Sequence, residues 1–145
     1  MKTPEEIEQY FHAKIPLTKA MGVRVASYDS RGLRLEAPLA LNFNHLGTAF
    51  GGSLHTVATL CGYGLLWLEL ADADGHVVIA ECTMSFRKPV TGDLHAFCPR
   101  PSEEDMAFFR AKFEKNGKAR IRLRVIVGDE AQPAAEFEGV FVARR

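Results

Sequence analysis

The sequence predicts an α+β domain: an antiparallel β-sheet wrapped around one long central helix, with a short N-terminal helix ahead of it. Three observations predict this. Gly52–Leu70 is uncharged up to Glu69 and apolar almost all round, so as a helix it has to be enclosed. From His76 nearly to the end, the chain reads as extended segments punctuated by turn residues. Those segments follow one another without the helices that an alternating βαβ chain would place between them.

Length and composition bound the answer. The 145 residues fit one domain, 1–145, long enough to bury a core without covalent staples. Hydrophobic content of 47% and charged content of 25% are ordinary for a globular protein. The formal net charge is zero, without the basic excess of a general nucleic-acid binder, so no nucleic-acid partner is expected. Cys61, Cys82 and Cys98 are odd in number, sit among apolar residues and lack metal-ligand spacing. They read as reduced packing residues of a cytoplasmic protein, and no metal is expected. The N-terminal MKTPEEIEQYF lacks the apolar core of a signal peptide. Gly52–Leu70 is at the lower limit of a membrane span, contains His55, Thr56 and Thr59, and has no basic flanks; it reads as a buried helix, with no membrane partner.

The elements follow in order. Thr3-Pro4-Glu5-Glu6 starts a helix, with Thr3 as N-cap, Pro4 in the first turn and Glu6 closing a capping box. Ile7, Tyr10, Phe11 and Ile15 make its apolar stripe, and Pro16 ends it. Gly22–Asp29 and Leu33–Ala37 read as strands joined by Ser30-Arg31-Gly32. The Asn42–Gly52 loop and the long helix come next, and Asp72-Ala73-Asp74-Gly75 turns the chain. Five strands are expected after that: Val77–Lys88, Leu94–Pro99, Met106–Lys115, Ala119–Val127 and Glu136–Ala143. Asn116-Gly117 is read as a hairpin turn between the third and fourth of these. A three-residue loop with a bulge near Gly117 would set Glu114 opposite Arg120 and Phe113 opposite Ile121.

At 100° per residue, Gly52, His55, Thr56, Thr59 and Tyr63 fall on one stripe of the long helix. Leu54, Val57, Ala58, Cys61, Leu65 and Leu68 fall opposite and are the expected core face. A polar stripe on so apolar a helix needs partners, because unpaired buried polar groups are costly. It lines either a substrate cleft or subunit interface, or it bonds within one subunit. Gly62 and Gly64 are expected to allow close packing, and Tyr63 and Trp67 to be core or interface aromatics. The start of the helix, preceded by a Gly-Gly pair, offers free N–H groups and the positive end of the helix dipole. Such a group of donors binds anions and stabilises developing negative charge.

Asn44, the run Gly47-Thr48-Ala49-Phe50-Gly51-Gly52-Ser53-Leu54, Gly62 and Gly64, then Ser85-Phe86-Arg87-Lys88-Pro89-Val90 and Gly92-Asp93 form an ordered set. In these residues the chain resembles hotdog-fold thioesterases, and more narrowly the YiiD C-terminal-domain group, from about Val23 to the end. The resemblance implies hydrolysis of acyl thioesters of coenzyme A or acyl carrier protein, with no cofactor beyond the carrier that belongs to the substrate. It implies a homodimer whose subunits pair their sheets around a shared site, with a dimer of dimers as a further possibility. Gly51 or Gly52 would donate to the thioester carbonyl oxygen, and Asn44 would place substrate or water.

Two positions depart from that pattern. Many relatives carry His before the Gly-Gly pair, where this chain has Phe50, and a carboxylate seven residues beyond it, where this chain has Thr59. A threonine hydroxyl cannot take a proton from water without a base beside it. His55, one turn earlier on the same stripe, has a suitable imidazole. His45 in the loop is another candidate, as is Glu81, whose strand face also carries Thr83 and Ser85 and is expected to line the cleft unless Glu81 pairs with Arg87 or Arg120. Thr48, Phe50, Ser53 and Tyr63 complete the substrate-binding set, with Arg87 beside Lys88 and the Arg120, Arg122, Arg124 face as phosphate contacts or simply solvated charges. Two other readings are a non-catalytic acyl-thioester or fatty-acyl binding module and a hydratase or dehydratase; the latter uses a loop His with an acidic partner, and their characteristic spacing is not found in this chain.

Overall fold

The computed structural model describes residues 1–145. Helix α1 spans Pro4–Lys14, and the Thr3 hydroxyl accepts the Glu6 N–H at 3.2 Å, as its N-cap position predicts. Pro16 ends that helix and opens a five-residue helix, α2, Pro16–Ala20. Strands β1 (Arg24–Asp29) and β2 (Gly32–Ala37) lead through a 3₁₀ turn at Leu39–Leu41 to the long helix α3, Gly51–Leu70. Then come β3 (His76–Phe86), β4 (Leu94–Pro99), helix α4 (Glu103–Asn116), β5 (Lys118–Gly128) and β6 (Pro133–Arg144).

One six-stranded sheet, in the order β1-β2-β4-β5-β6-β3, packs around α3, and every pairing is antiparallel. The expected core face of α3 is buried at Leu54, Val57, Ala58, Cys61 and Leu65, with Leu68 partly so. Gly62 and Gly64 do permit close packing. A Cβ at 62 would sit 2.7 Å from a Phe141 ring carbon, and one at 64 would sit 2.6 Å from Phe11 and 2.9 Å from Leu33. Trp67 stacks on Tyr10 with ring centroids 4.0 Å apart, which fastens α1 to the far half of α3.

The segment expected as a strand at Met106–Lys115 is helix α4, so four strands follow α3 rather than five. Phe109 and Phe113 fit a two-residue period and a helical one equally well. Met106 decides, because Met106, Phe109 and Phe113 are the residues that α4 buries. Ser102 caps the helix by accepting the Asp105 N–H, and Glu103, Glu104 and Asp105 favour its positive end. Gly117 is the left-handed C-cap residue (φ 66°), not a hairpin turn. Arg120 therefore pairs with Val142, not Glu114, and Ile121 with Phe141, not Phe113.

The C-terminal end of α3 is held by charge. Glu69 accepts hydrogen bonds from Tyr28 and from Arg100 at 2.8 Å. Arg110, on α4, donates to both the Glu69 backbone carbonyl (3.1 Å) and its carboxylate (3.3 Å). Burial alone would raise the Glu69 pKa. The Tyr28 and Arg100 hydrogen bonds, with the charges of Arg100 and Arg110, outweigh it and hold the carboxyl below the usual range.

Two outcomes follow. Replacing Gly64 with alanine should cost about 1–3 kcal/mol by overpacking, only partly offset by alanine's helix preference. Gly92→Ala, where a Cβ meets nothing within 4 Å, should leave the urea midpoint unchanged. Because the folded-state pKa of Glu69 is depressed, its contribution is present above the unfolded carboxyl pKa of about 4.3 and is lost as pH falls through the folded value. Glu69→Gln should lower the melting temperature at pH 7, and the gap to the parent should narrow on acidification.

Candidate active site

The loop before α3 is built by its own polar groups. Asn44 Oδ1 accepts the N–H of Leu46 (2.8 Å) and of Thr48 (3.1 Å). Its Nδ2 donates to Thr48 Oγ1 (2.9 Å) and to the Ala49 carbonyl (3.4 Å). Gly47 supplies the left-handed residue of this turn (φ 79°). The Ala49 N–H donates to Val90 at 2.9 Å and the Phe50 N–H to Asn42 at 2.8 Å, fixing the entry to the helix. Asn44 thus spends its side chain on the loop, and Thr48 is its partner there. His45 is exposed at the tip, apart from the rest of the set.

Phe50 is the N-cap residue in extended conformation, and its carbonyl accepts the N–H groups of Ser53 (2.9 Å) and Leu54 (3.1 Å). The N–H groups of Gly51 and Gly52 donate to no group in the chain. No acidic side chain occupies the first turn to neutralise them. The Phe50 ring lies against Gly52 so closely that a Cβ there would be 2.4 Å from it. Only glycine therefore lets the ring pack against the backbone here.

Beside this turn, a cleft of about 750 Å³ runs between α3 and strand β3. His55, Thr56, Thr59, Leu60 and Tyr63 line one wall, Val77 to Cys82 the other, and Phe141 the floor. The expected polar stripe is thus the wall of a cleft, apart from Gly52. That residue, with Ser53 and Phe50, borders a smaller adjoining hollow toward α2. Tyr63 and Tyr10 hydroxyls lie 3.3 Å apart, and burial first, then that bond, raises the Tyr63 pKa.

Within the cleft three side chains form a chain. His55 Nδ1 is 3.3 Å from Thr59 Oγ1, and His55 Nε2 is 3.2 Å from Cys82 Sγ. The imidazole also packs edge-on against Phe137, with centroids 5.7 Å apart. Cys82 corrects an expectation. Cys61 and Cys98 are buried, and burial pushes both thiols up, but Cys82 is exposed. Cys82 pairs with Gly139, so it points to the α3 side of the sheet. Its place was readable from the two-residue period of its strand, had the strand's inward face been known.

The same period puts Glu81, Thr83 and Ser85 on the other face. They do share a face, as expected, but it is turned away from α3. Thr83 and Ser85 lie beside Arg87, Arg124, Glu136 and Glu138, and Glu81 beside Arg122 and Val140. Only the bulge between Ile79 and Glu81 brings part of Glu81 to the cleft edge. Glu81 forms no ion pair. Arg87 (2.6 Å) and Arg124 (2.7 Å) both bind Glu136, whose carboxyl pKa they lower. Arg122 reaches Glu138 at 3.9 Å. No cluster of three or more His, Cys, Asp or Glu side chains suits a metal ion, and no helix is long and apolar enough to cross a membrane.

A buried helix with open amides at its start, clasped by an antiparallel sheet, defines a hotdog-fold protein. The chain belongs to the family described as "Putative thioesterase (yiiD_Cterm)", whose model matches residues 4–145. It is similar to a protein of unknown function from Chlorobaculum tepidum TLS, at 33% identity and TM-score 0.91, covering 99% of this chain and 97% of that one. It is also similar to a protein described as a "putative thioesterase" from Shewanella oneidensis, at 29% identity and TM-score 0.82, covering 98% and 97%. A "Probable Thioesterase" from Pseudomonas aeruginosa matches at 28% identity and TM-score 0.84, covering 99% and 97%.

The burial pattern predicts the chemistry of the three thiols. Native protein titrated with a thiol-reactive disulfide should react quickly at one cysteine, Cys82, and at Cys61 and Cys98 only after denaturation.

Proposed function

We propose that this protein hydrolyses acyl thioesters of coenzyme A or acyl carrier protein in a cleft completed by a second copy of the chain. The observation that carries the reading is the pair of unbonded amides at Gly51 and Gly52, one helical turn before His55 in the wall of an apolar cleft. Closed off from water by the second copy, two such donors stabilise the oxyanion of a tetrahedral intermediate. His55, one turn on, moves the proton, and Thr59 in the vacated acid position holds the imidazole. Asn44 acts by shaping the loop that delivers Phe50 to Gly52. Leu60, Tyr63, Val77 and Phe141 provide an apolar bed for the acyl chain. Arg87, Ser85, Thr83 and Glu81 lie on the outer side of the same edge strand, where the carrier would leave the cleft.

The second copy is supported by β3. It is an edge strand of 11 residues with one side unpaired, and it leaves Val78 and Phe86 more than half exposed. Phe43, Leu46 and Phe50 are exposed in the adjoining loop. A long apolar edge of this kind invites pairing with another strand. Pairing of two β3 edges would give a homodimer, and further contacts a dimer of dimers. The three free cysteines agree with a cytoplasmic setting.

A second reading, a binding module for acyl thioesters without turnover, is favoured by Thr59 and by the absence of a carboxylate side chain facing α3 from β3. Acyl-CoA substrates of several chain lengths, assayed with a thiol-reactive dye, separate the two readings. Turnover is expected for at least one chain length. Saturable binding without turnover would establish the module instead.

Gly51 is the first helical residue, where proline fits, and a Cβ there meets only Phe86 at 3.7 Å. Gly51→Pro should therefore keep the fold, remove one donor and lower kcat about 10²–10³-fold. Light scattering should give twice the 16.1 kDa chain mass; a monomer would remove the shared-cleft part of the proposal.

A further inference from the structure

We propose that Cys82 is the nucleophile of this reaction, taking the acyl group from the carrier before water releases it. The proposal rests on the thioester-hydrolase reading and deepens it. Its basis is geometric. His55 Nε2 is the ring atom that would draw a proton from water, and Cys82 Sγ already occupies its hydrogen-bonding direction at 3.2 Å. The other ring nitrogen is engaged with Thr59 Oγ1 at 3.3 Å. With Nδ1–H donating to Thr59, Nε2 is left basic and accepts the thiol proton. This is the order of nucleophile, base and orienting group found in acyl-transfer sites generally. Thr59 is a positioning residue in this scheme, since it acts through His55.

The surroundings agree. Cys82 is the exposed member of the three cysteines, and its strand face is turned to the cleft. Helix α3 sets Gly51 where an added Cβ would be 3.7 Å from the Phe86 ring, and brings His55 within hydrogen-bonding reach of Cys82. Phe86 and Cys82 share one face of β3, so the first turn of α3 and the thiol lie along the same side of that strand. A thiolate is also a far better nucleophile than water, and exchange of one thioester for another is close to balanced in energy.

In the first step the Cys82 proton passes to His55 Nε2 while Sγ bonds to the acyl carbonyl carbon. The oxyanion forms against the Gly51 and Gly52 amides. The bond from that carbon to the carrier sulfur breaks, and His55 returns the proton to the departing thiolate. In the second step water gives a proton to His55 and its oxygen bonds to the acyl carbon. The bond to Cys82 Sγ breaks, and the thiolate takes the proton back. The sum is thioester plus water to carboxylic acid plus thiol, with no oxidant or reductant.

Isotope exchange on the unaltered protein tests this without relying on a variant. Hexanoyl-CoA and lauroyl-CoA are incubated with the protein and millimolar labelled coenzyme A. A covalent intermediate lets free carrier attack it, so label should enter the acyl-CoA pool, and acid-quenched protein should carry the acyl mass on the Cys82 peptide. Cys82→Ala should abolish exchange and lower hydrolysis by at least about 100-fold with an unchanged circular dichroism spectrum. Hydrolysis by the parent without exchange, or hydrolysis by Cys82→Ala within about threefold of the parent, would overturn the nucleophile and leave the hydrolase reading standing. Exchange and acylation without net hydrolysis would support Cys82 and remove the hydrolase reading. Neither exchange nor hydrolysis with either probe would remove both.

Discussion

Enclosure of α3 is the constraint on which everything else in this molecule depends. A 20-residue helix with nine buried residues and no charge before Glu69 cannot rest on one face of a sheet alone. The sheet curls around it, α1 covers part of the remainder through the Tyr10–Trp67 stack, and α4 closes the end near Glu69. Gly62 and Gly64 let Phe141, Phe11 and Leu33 reach the helix axis. The first turn stands outside this enclosure: the amides of Gly51 and Gly52 stay unpaired at the helix start, one turn before His55 in the cleft wall.

The family and its hotdog fold are established by a match over residues 4–145 and by crystal-structure relatives that align over nearly the whole chain. Against that background Thr59 and Phe50 stand out. Threonine keeps a polar atom where the helix faces the cleft, and that atom is bonded to His55 instead of acting on its own. Phe50 lies on Gly52, its ring in the space that a side chain at 52 would take. On the proposed function, the proton-moving role falls to the His55 imidazole in contact with the Cys82 thiol, a combination suited to thioester chemistry.

Much of this architecture was legible in the sequence. The long helix, the capped N-terminal helix and strand β4 have near-identical bounds in sequence and structure, and both helices are marked by residues with one physical meaning: Thr3-Pro4 and Pro16 for the first, Gly51-Gly52 for the long one. The α4 segment is ambiguous in sequence because Phe109 and Phe113 satisfy two periods at once, and the cap at Ser102 and the acidic first turn are the signals that separate them. The polar stripe and the open amides were legible for the same reason, since both are local to one helix. Cys82 was not. Its partner His55 is 27 residues away, and only the register of β3 against β6 says which face its thiol takes. Glu81, Thr83 and Ser85 illustrate the same gap: their common face followed from alternation, but which side of the sheet it was did not.

The two ends of α3 are treated differently, and this gives the molecule a polarity. At Leu70 the carbonyl end is met by the Arg110 guanidinium, with Arg100 close by, so its partial negative charge is cancelled locally. At Gly51 nothing of opposite sign is supplied by the chain. The helix therefore projects an uncompensated field from one end only. On the proposed function, a carboxylate left there after cleavage would meet the amides assigned to the oxyanion, so whatever speeds the formation of the acid would also slow its departure.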